Sequence, residues 1–221
     1  MTDAPPRLAV LASGRGSNLQ AILDAIASGT LDARVVGVFG DRAKAFALQR
    51  ARDAGIPARA LRPRDYPGRD GFDAALFAEV ATVRPDFIVC AGYMRLLGAA
   101  ALAPWAGRIL NIHPSLLPDF KGLDTHARAL AVGVPEHGAS VHFVTADLDG
   151  GPVVAQARVP VLEGDDADTL AARVLATEHP LMVATLQLLC AGRVALRGDV
   201  VHLDGQPLAA PLQLTANSRL A

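Results

Sequence analysis

Short apolar runs alternate with helix-length stretches along most of this chain, and that alternation restricts the fold more than any other feature. Leu8–Ala12, Arg34–Phe39, Phe87–Ala91 and Ile109–His113 are runs too short for helices and apolar enough for buried strands. Between them, Leu19–Ser28 and Ala43–Ala54 read as helices stopped by Gly29 and Gly55, and Phe72–Val83 as a helix stopped before Pro85. A short helix is expected near Ala99–Ala103 and another over Thr125–Val132. Ser140–Val144 and Val153–Val159 read as strands around an Asp149 loop, and Asp168–Ala191 as a long helical stretch interrupted by Pro180. Val200–Leu203 with the turn Asp204-Gly205 suggests a C-terminal β-hairpin. Strands that alternate with helices need crossover connections, so the expected fold is α/β, a mainly parallel sheet with helices on both faces. No linker or internal repeat divides the chain, so residues 1–221 are expected to form a single domain.

Composition removes several classes of function. Over 221 residues the formal net charge is −1, which argues against a nucleic-acid surface. An anionic ligand must then be held by local donors. No apolar run is long enough to span a membrane, and Met1–Pro6 shows no signal-peptide pattern. Cys90 and Cys190 lack metal or redox spacing, and Cys90 lies in an apolar run as a buried thiol would. His126, His137, His142, His179 and His202 show no metal-ligand spacing, so no metal is expected. A cytoplasmic location is the default for such a chain.

Ligands of parallel α/β sheets bind beyond the carboxyl ends of the strands. Ser13–Asn18, Gly92–Leu97 and Asn111–His113 all lie at such ends. Gly14-Arg15-Gly16-Ser17-Asn18 joins the first strand to the first helix, which gives the N-terminal part a Rossmann-like character. Glycines admit close backbone approach, and a helix start presents free N–H groups to an anion. The same residues also suit a plain tight turn capped by Ser17 or Asn18. A dinucleotide reading would use Asp41 at the end of the second strand, but its third glycine is replaced by Leu19.

Asn111 and His113 stand two apart on a strand that ends before Pro114, so they share one face, roughly 7 Å apart. An amide that donates to a carbonyl oxygen beside an imidazole that moves a proton suits chemistry in which charge builds on that oxygen. Asp149, before Gly150-Gly151, is either a turn residue or a partner for that imidazole.

The segments Asn111-Ile112-His113-Pro114-Ser115-Leu116-Leu117-Pro118 and Leu148-Asp149-Gly150-Gly151-Pro152 resemble those of the folate-dependent formyltransferases. Ser13-Gly14-Arg15-Gly16-Ser17-Asn18-Leu19-Gln20 and His137–Thr145 narrow the resemblance to the glycinamide ribonucleotide formyltransferase family, from about Leu8 to His179. The resemblance implies formyl transfer from 10-formyltetrahydrofolate, as co-substrate, to the amino group of glycinamide ribonucleotide in purine biosynthesis. It implies Asn111, His113 and Asp149 as catalytic residues, with Asp149 orienting and charging the imidazole. Gly16, Ser17, Asn18 and Glu178 would bind the ribonucleotide. Met94, Arg95, Leu96 and Leu97 would line the folate pocket, with Arg69 and Arg95 near the folate's carboxylate tail.

Some positions depart from the family pattern: Gly40-Asp41 for Ser-Asn, Asp124 for a His, Leu175 for a polar residue, and a shortened Glu178-His179-Pro180 segment. Other readings are a tRNA formyltransferase or a formyl-folate hydrolase. A nucleotide-binding dehydrogenase is supported only by the glycine loop and Asp41.

Overall fold

The computed structural model describes residues 4–221. The chain divides into two compact units between Asn111 and Ile112. In the first, β1 (Arg7–Leu11), α1 (Ser17–Ala27), β2 (Arg34–Gly40), α2 (Phe46–Asp53), β3 (Ala58–Ala60), α3 (Gly68–Thr82), β4 (Phe87–Cys90) and α4 (Ala99–Leu102) lead to β5 (Ile109–His113). β1 pairs in parallel with β2 and β4, β2 with β3, and β4 with β5, so the order is β5-β4-β1-β2-β3. Leu8, Val10, Val38, Ile88, Val89 and Leu110 are fully buried. These strands are apolar on both faces, as a parallel sheet covered by helices requires.

The second unit holds α5 (Thr125–Val132), β6 (Glu136–Phe143), β7 (Val153–Pro160), α6 (Ala167–Cys190), β8 (Val194–Arg197), β9 (Val200–Leu203), β10 (Gln206–Pro207) and β11 (Leu212–Gln213). β6 runs antiparallel to β7, and β11 lies parallel on the other side of β7. α6 packs on β6 and β7. β8, β9 and β10 form a separate antiparallel sheet. The fold is thus mixed α/β with a large, mostly parallel main sheet. Among the described residues no helix is long and apolar enough to cross a membrane.

Several expectations are corrected. α6 is not interrupted at Pro180 but runs unbroken from Ala167 to Cys190. An interior proline costs roughly 3 kcal/mol through its lost N–H and ring clash. Leu181 and Met182, both fully buried, hold the helix on the sheet across that defect. Its start is well fixed: the Asp166 carboxylate accepts from Thr169 N–H at 2.8 Å, and the Thr169 hydroxyl accepts from Asp166 N–H at 2.9 Å. β6 begins at Glu136 rather than Ser140, which places His137 inside a strand. The α1 cap is Gly16 at φ 72°, not the side chain of Ser17 or Asn18. The Asp204-Gly205 turn does close a hairpin, β9–β10, with positive φ at both residues as a type I′ turn requires. The hairpin gains β8 as a third strand.

Candidate active site

In the first unit the loop from β1 to α1 is drawn onto α2. The Gly14 carbonyl accepts from Ala47 N–H at 3.1 Å, and the Arg15 carbonyl from Arg50 Nε at 3.0 Å. A Cβ on Gly16 would sit 2.6 Å from Ala47 Cβ, so only glycine permits this approach, apart from its positive φ. Ser17 opens α1 half-buried, and Asn18 is buried beside it. A cleft of about 780 Å³ between α1 and α2, lined by Leu23, Ile26, Phe46 and Arg50, contains none of the sequence-derived site residues. The candidate site is therefore built from its chemistry-bearing residues rather than from this cleft.

The Gly92–Leu97 segment is tied to the same loop. Ser13 N–H donates to the Gly92 carbonyl at 3.0 Å, and Met94 N–H donates to the Ser13 hydroxyl at 3.0 Å. Met94 is 57% exposed and Leu96 50%, whereas Leu97 is buried. Two large exposed apolar side chains three residues or fewer apart suit an apolar ligand better than water. The Arg95 guanidinium lies over the Phe72 ring at 5.1 Å. Asp73, buried nearby, accepts from Gly98 N–H at 2.7 Å, and burial raises its pKa against that bond. Arg69, exposed in the first turn of α3, lies 3.8 Å from Asp70. Asp41 is buried at the β2 end, and burial above all raises the Tyr93 phenol, with Asp41 adding to it. Cys90 is an inert thiol, pushed up to about 12 by burial.

In the second unit His113 meets Asp149. His113 Nδ1 lies 3.4 Å from Asp149 Oδ2, with both side chains largely buried. His113 Nε2 faces the Phe120 carbonyl at 3.0 Å. Nε2 thus has a backbone carbonyl within hydrogen-bond distance, and Nδ1 has a carboxylate oxygen close by. Asp149 Oδ2 also accepts from Gly122 N–H at 2.9 Å, and Oδ1 lies 3.7 Å from His142 Nε2. Burial lowers the His142 pKa, opposed by its own bond to the Phe143 carbonyl and by Asp149.

The backbone around this cluster is strained: φ is 44° at Asp149 and 52° at Phe120. A bulky residue in that region is costly and tends to persist at functional sites. Gly151 is obligatory, since a Cβ there would lie 1.8 Å from the Phe143 carbonyl oxygen. That close approach sets where the turn carrying Asp149 leaves β6.

Behind His113 the segment Pro114–Pro118 is held by a buried polar network. Ser140 donates to the Ser115 carbonyl at 2.7 Å and accepts from Leu117 N–H at 3.0 Å. Gln156 donates to the Leu117 carbonyl at 2.9 Å and to Ser140 at 3.0 Å. Ser115 donates to the Asp119 carbonyl at 2.6 Å. His137, fully buried, packs edge-on against Phe120 and His126, and burial pushes its pKa down to about 4. It is a neutral packing ring at ordinary pH rather than an acid. Among the described residues no group of three or more His, Cys, Asp or Glu is arranged to hold a metal ion.

Asn111 lies half-buried on β5, two residues before His113 and paired in register with Cys90. Glu178 is buried on α6, and Leu175 lies one turn before it. Sequence reasoning missed His142, Arg50 and Gln156, and it singled out Ser13 only as part of the glycine loop. The period-two alternation of β6 was a usable signal for His142, because it shares a face with Ser140.

The formyl transferase family model matches residues 6–186. The chain is 47% identical to phosphoribosylglycinamide formyltransferase of Escherichia coli over 91% of this chain and 95% of that protein. It is 48% identical to the Mycobacterium tuberculosis (strain H37Rv) protein of the same name, over 89% and 90%. A solved phosphoribosylglycinamide formyltransferase of Coxiella burnetii superposes with a TM-score of 0.89 at 45% identity, covering 93% of this chain and 96% of that one.

Proposed function

Because the chain belongs to the formyl transferase family, we propose that it transfers the formyl group of 10-formyltetrahydrofolate to the amino group of glycinamide ribonucleotide, a step of purine biosynthesis. The substrates are small molecules, and residues 1–221 act as one formyltransferase domain in the cytoplasm. The family match, which runs across the division at Asn111, supports the single-domain reading. The observation that carries the mechanism is the approach of His113 Nδ1 to Asp149 Oδ2 at 3.4 Å.

The amine attacks the formyl carbon, and the carbonyl π electrons move to oxygen. The Asn111 amide and protonated His113 stabilise that oxyanion, and such donors act most strongly away from water. The new ammonium then loses a proton and N10 of the folate gains one; the oxyanion pair re-forms the carbonyl as the C–N10 bond breaks, its electrons leaving on N10. Asp149 keeps His113 oriented and helps the proton pass. The Phe120 carbonyl occupies His113 Nε2, so a substrate oxygen reaches that nitrogen by displacing it.

Gly16, Ser17 and Asn18 receive the ribonucleotide's phosphate at the start of α1, with Glu178 toward the same substrate. Met94, Leu96 and Leu97 wall the folate's bicyclic ring, while Arg69 and Arg95 attract its carboxylate tail. The test uses donor labelled with ¹³C in the formyl group, offered with glycinamide ribonucleotide or with water alone. The label is expected in the ribonucleotide's formamide only when the acceptor is present. Equal release of labelled formate with and without acceptor would make the protein a hydrolase instead.

A further inference from the structure

We infer that Arg50 of α2 is a positioning residue for the substrate's phosphate: by gripping the Arg15 carbonyl it aims the loop's N–H groups at the anion. The inference rests on the functional reading above. A trans peptide points its C=O and N–H in opposite directions. The Gly14 carbonyl is held by Ala47 N–H and the next carbonyl, of Arg15, by Arg50 Nε at 3.0 Å. Two successive carbonyls therefore face α2, so the N–H groups of Arg15 and Gly16 both face away from it. Successive N–H groups turned to one side make an anion-binding concavity. They precede the start of α1, whose first N–H groups and dipole add to it.

Arg50 is itself held on several sides. Its Nη1 donates to Gln20 Oε1 at 2.8 Å, Gln20 donates onward to Asp24 at 2.8 Å, and the Phe46 ring lies 4.8 Å from the guanidinium. The planar fork addresses the loop carbonyl and the α1 side chain together, which an ammonium does less well. Without this grip the Arg15–Gly16 peptide is free to rotate, and its carbonyl oxygen then meets the phosphate with like charge. The Gly14 contact does not compensate, because it fixes only the preceding peptide. Arg50 also lines the cleft of about 780 Å³, so a small cation has access to the space its side chain would leave.

Steady-state kinetics and ribose 5-phosphate calorimetry on wild type, Arg50→Ala and Arg50→Lys test this. Arg50→Ala should raise KM for the ribonucleotide about tenfold, the scale of one hydrogen bond from a charged donor. Its kcat and folate KM should stay within about twofold, a split that separates lost positioning from uniform damage. Arg50→Lys should fall between, and millimolar guanidinium should restore part of the Arg50→Ala affinity. Ribose 5-phosphate binding needs no turnover. If wild type binds it and Arg50→Ala binds it tenfold more weakly, the inference stands even where formyl transfer fails. Equal ribose 5-phosphate affinity in wild type and Arg50→Ala, or equal KM increases for both substrates, overturns it.

Discussion

In the glycine loop the side chains stand behind and hold the backbone, as Arg50 and Ala47 do for the carbonyls of Arg15 and Gly14. Around His113 the arrangement is inverted. Side chains form the cluster, and backbone groups such as the Phe120 carbonyl and Gly122 N–H hold them. The first pattern suits an anionic ligand, because backbone N–H donors do not titrate and stay donors at every pH. The second suits proton movement, which needs groups that change protonation. The two regions also store different costs. The loop requires glycine where α2 approaches Gly16, whereas the cluster tolerates positive φ at Asp149 and Phe120.

The sharpest way to break this comparison is His113→Ala. It should cut kcat by about 10³-fold or more, as loss of an acid and an oxyanion donor does, with each KM changed only a few-fold. A folded variant with wild-type turnover would remove the second region from the chemistry. Ser17→Asp places a carboxylate at the start of α1. Repulsion of the phosphate should raise the ribonucleotide KM by about 10²-fold, for a loss near 3 kcal/mol, while folate binding holds. Calorimetry with each substrate separates the two, and equal weakening of both would blur the contrast. Gln156→Leu sharpens it from the stability side. It leaves the buried Leu117 carbonyl without its Gln156 donor and should lower stability by about 1–3 kcal/mol in urea unfolding. An unchanged midpoint would mean that the network behind His113 is not a support.

Much of this was legible in the sequence. The bounds expected for β5 and α5, Ile109–His113 and Thr125–Val132, are those observed. Pro114 and the run before it leave little freedom for β5, and Gly133 stops α5 at φ 74°. The alternation of strands and helices sufficed for the parallel sheet. β3 escaped because Ala58–Ala60 is three residues with no apolar run, held only by its pairing to β2. The start of β6 escaped because Gly138 reads as a strand breaker. Its glycine is required by the Ala157 carbonyl, 1.9 Å from where a Cβ would lie, a cross-strand contact that no local pattern encodes. Pro180 misled for the same kind of reason, since packing of α6 on β6 and β7 outweighs a local penalty. The motif singled out Asp149 and His113, but their approach depends on the turn that Gly151 admits against Phe143. The grip of Arg50 on a carbonyl 35 residues away had no sequence signal.

The pairing of His113 with Asp149 is the claim on which the proposed chemistry depends. Asp149→Asn preserves shape and removes charge, and its single-turnover rate at saturating concentrations of both substrates isolates the chemical step. That rate should fall by about 10²-fold or more, with ribonucleotide affinity in calorimetry unchanged. A folded Asp149→Asn protein that transfers the formyl group at the wild-type single-turnover rate would contradict the account.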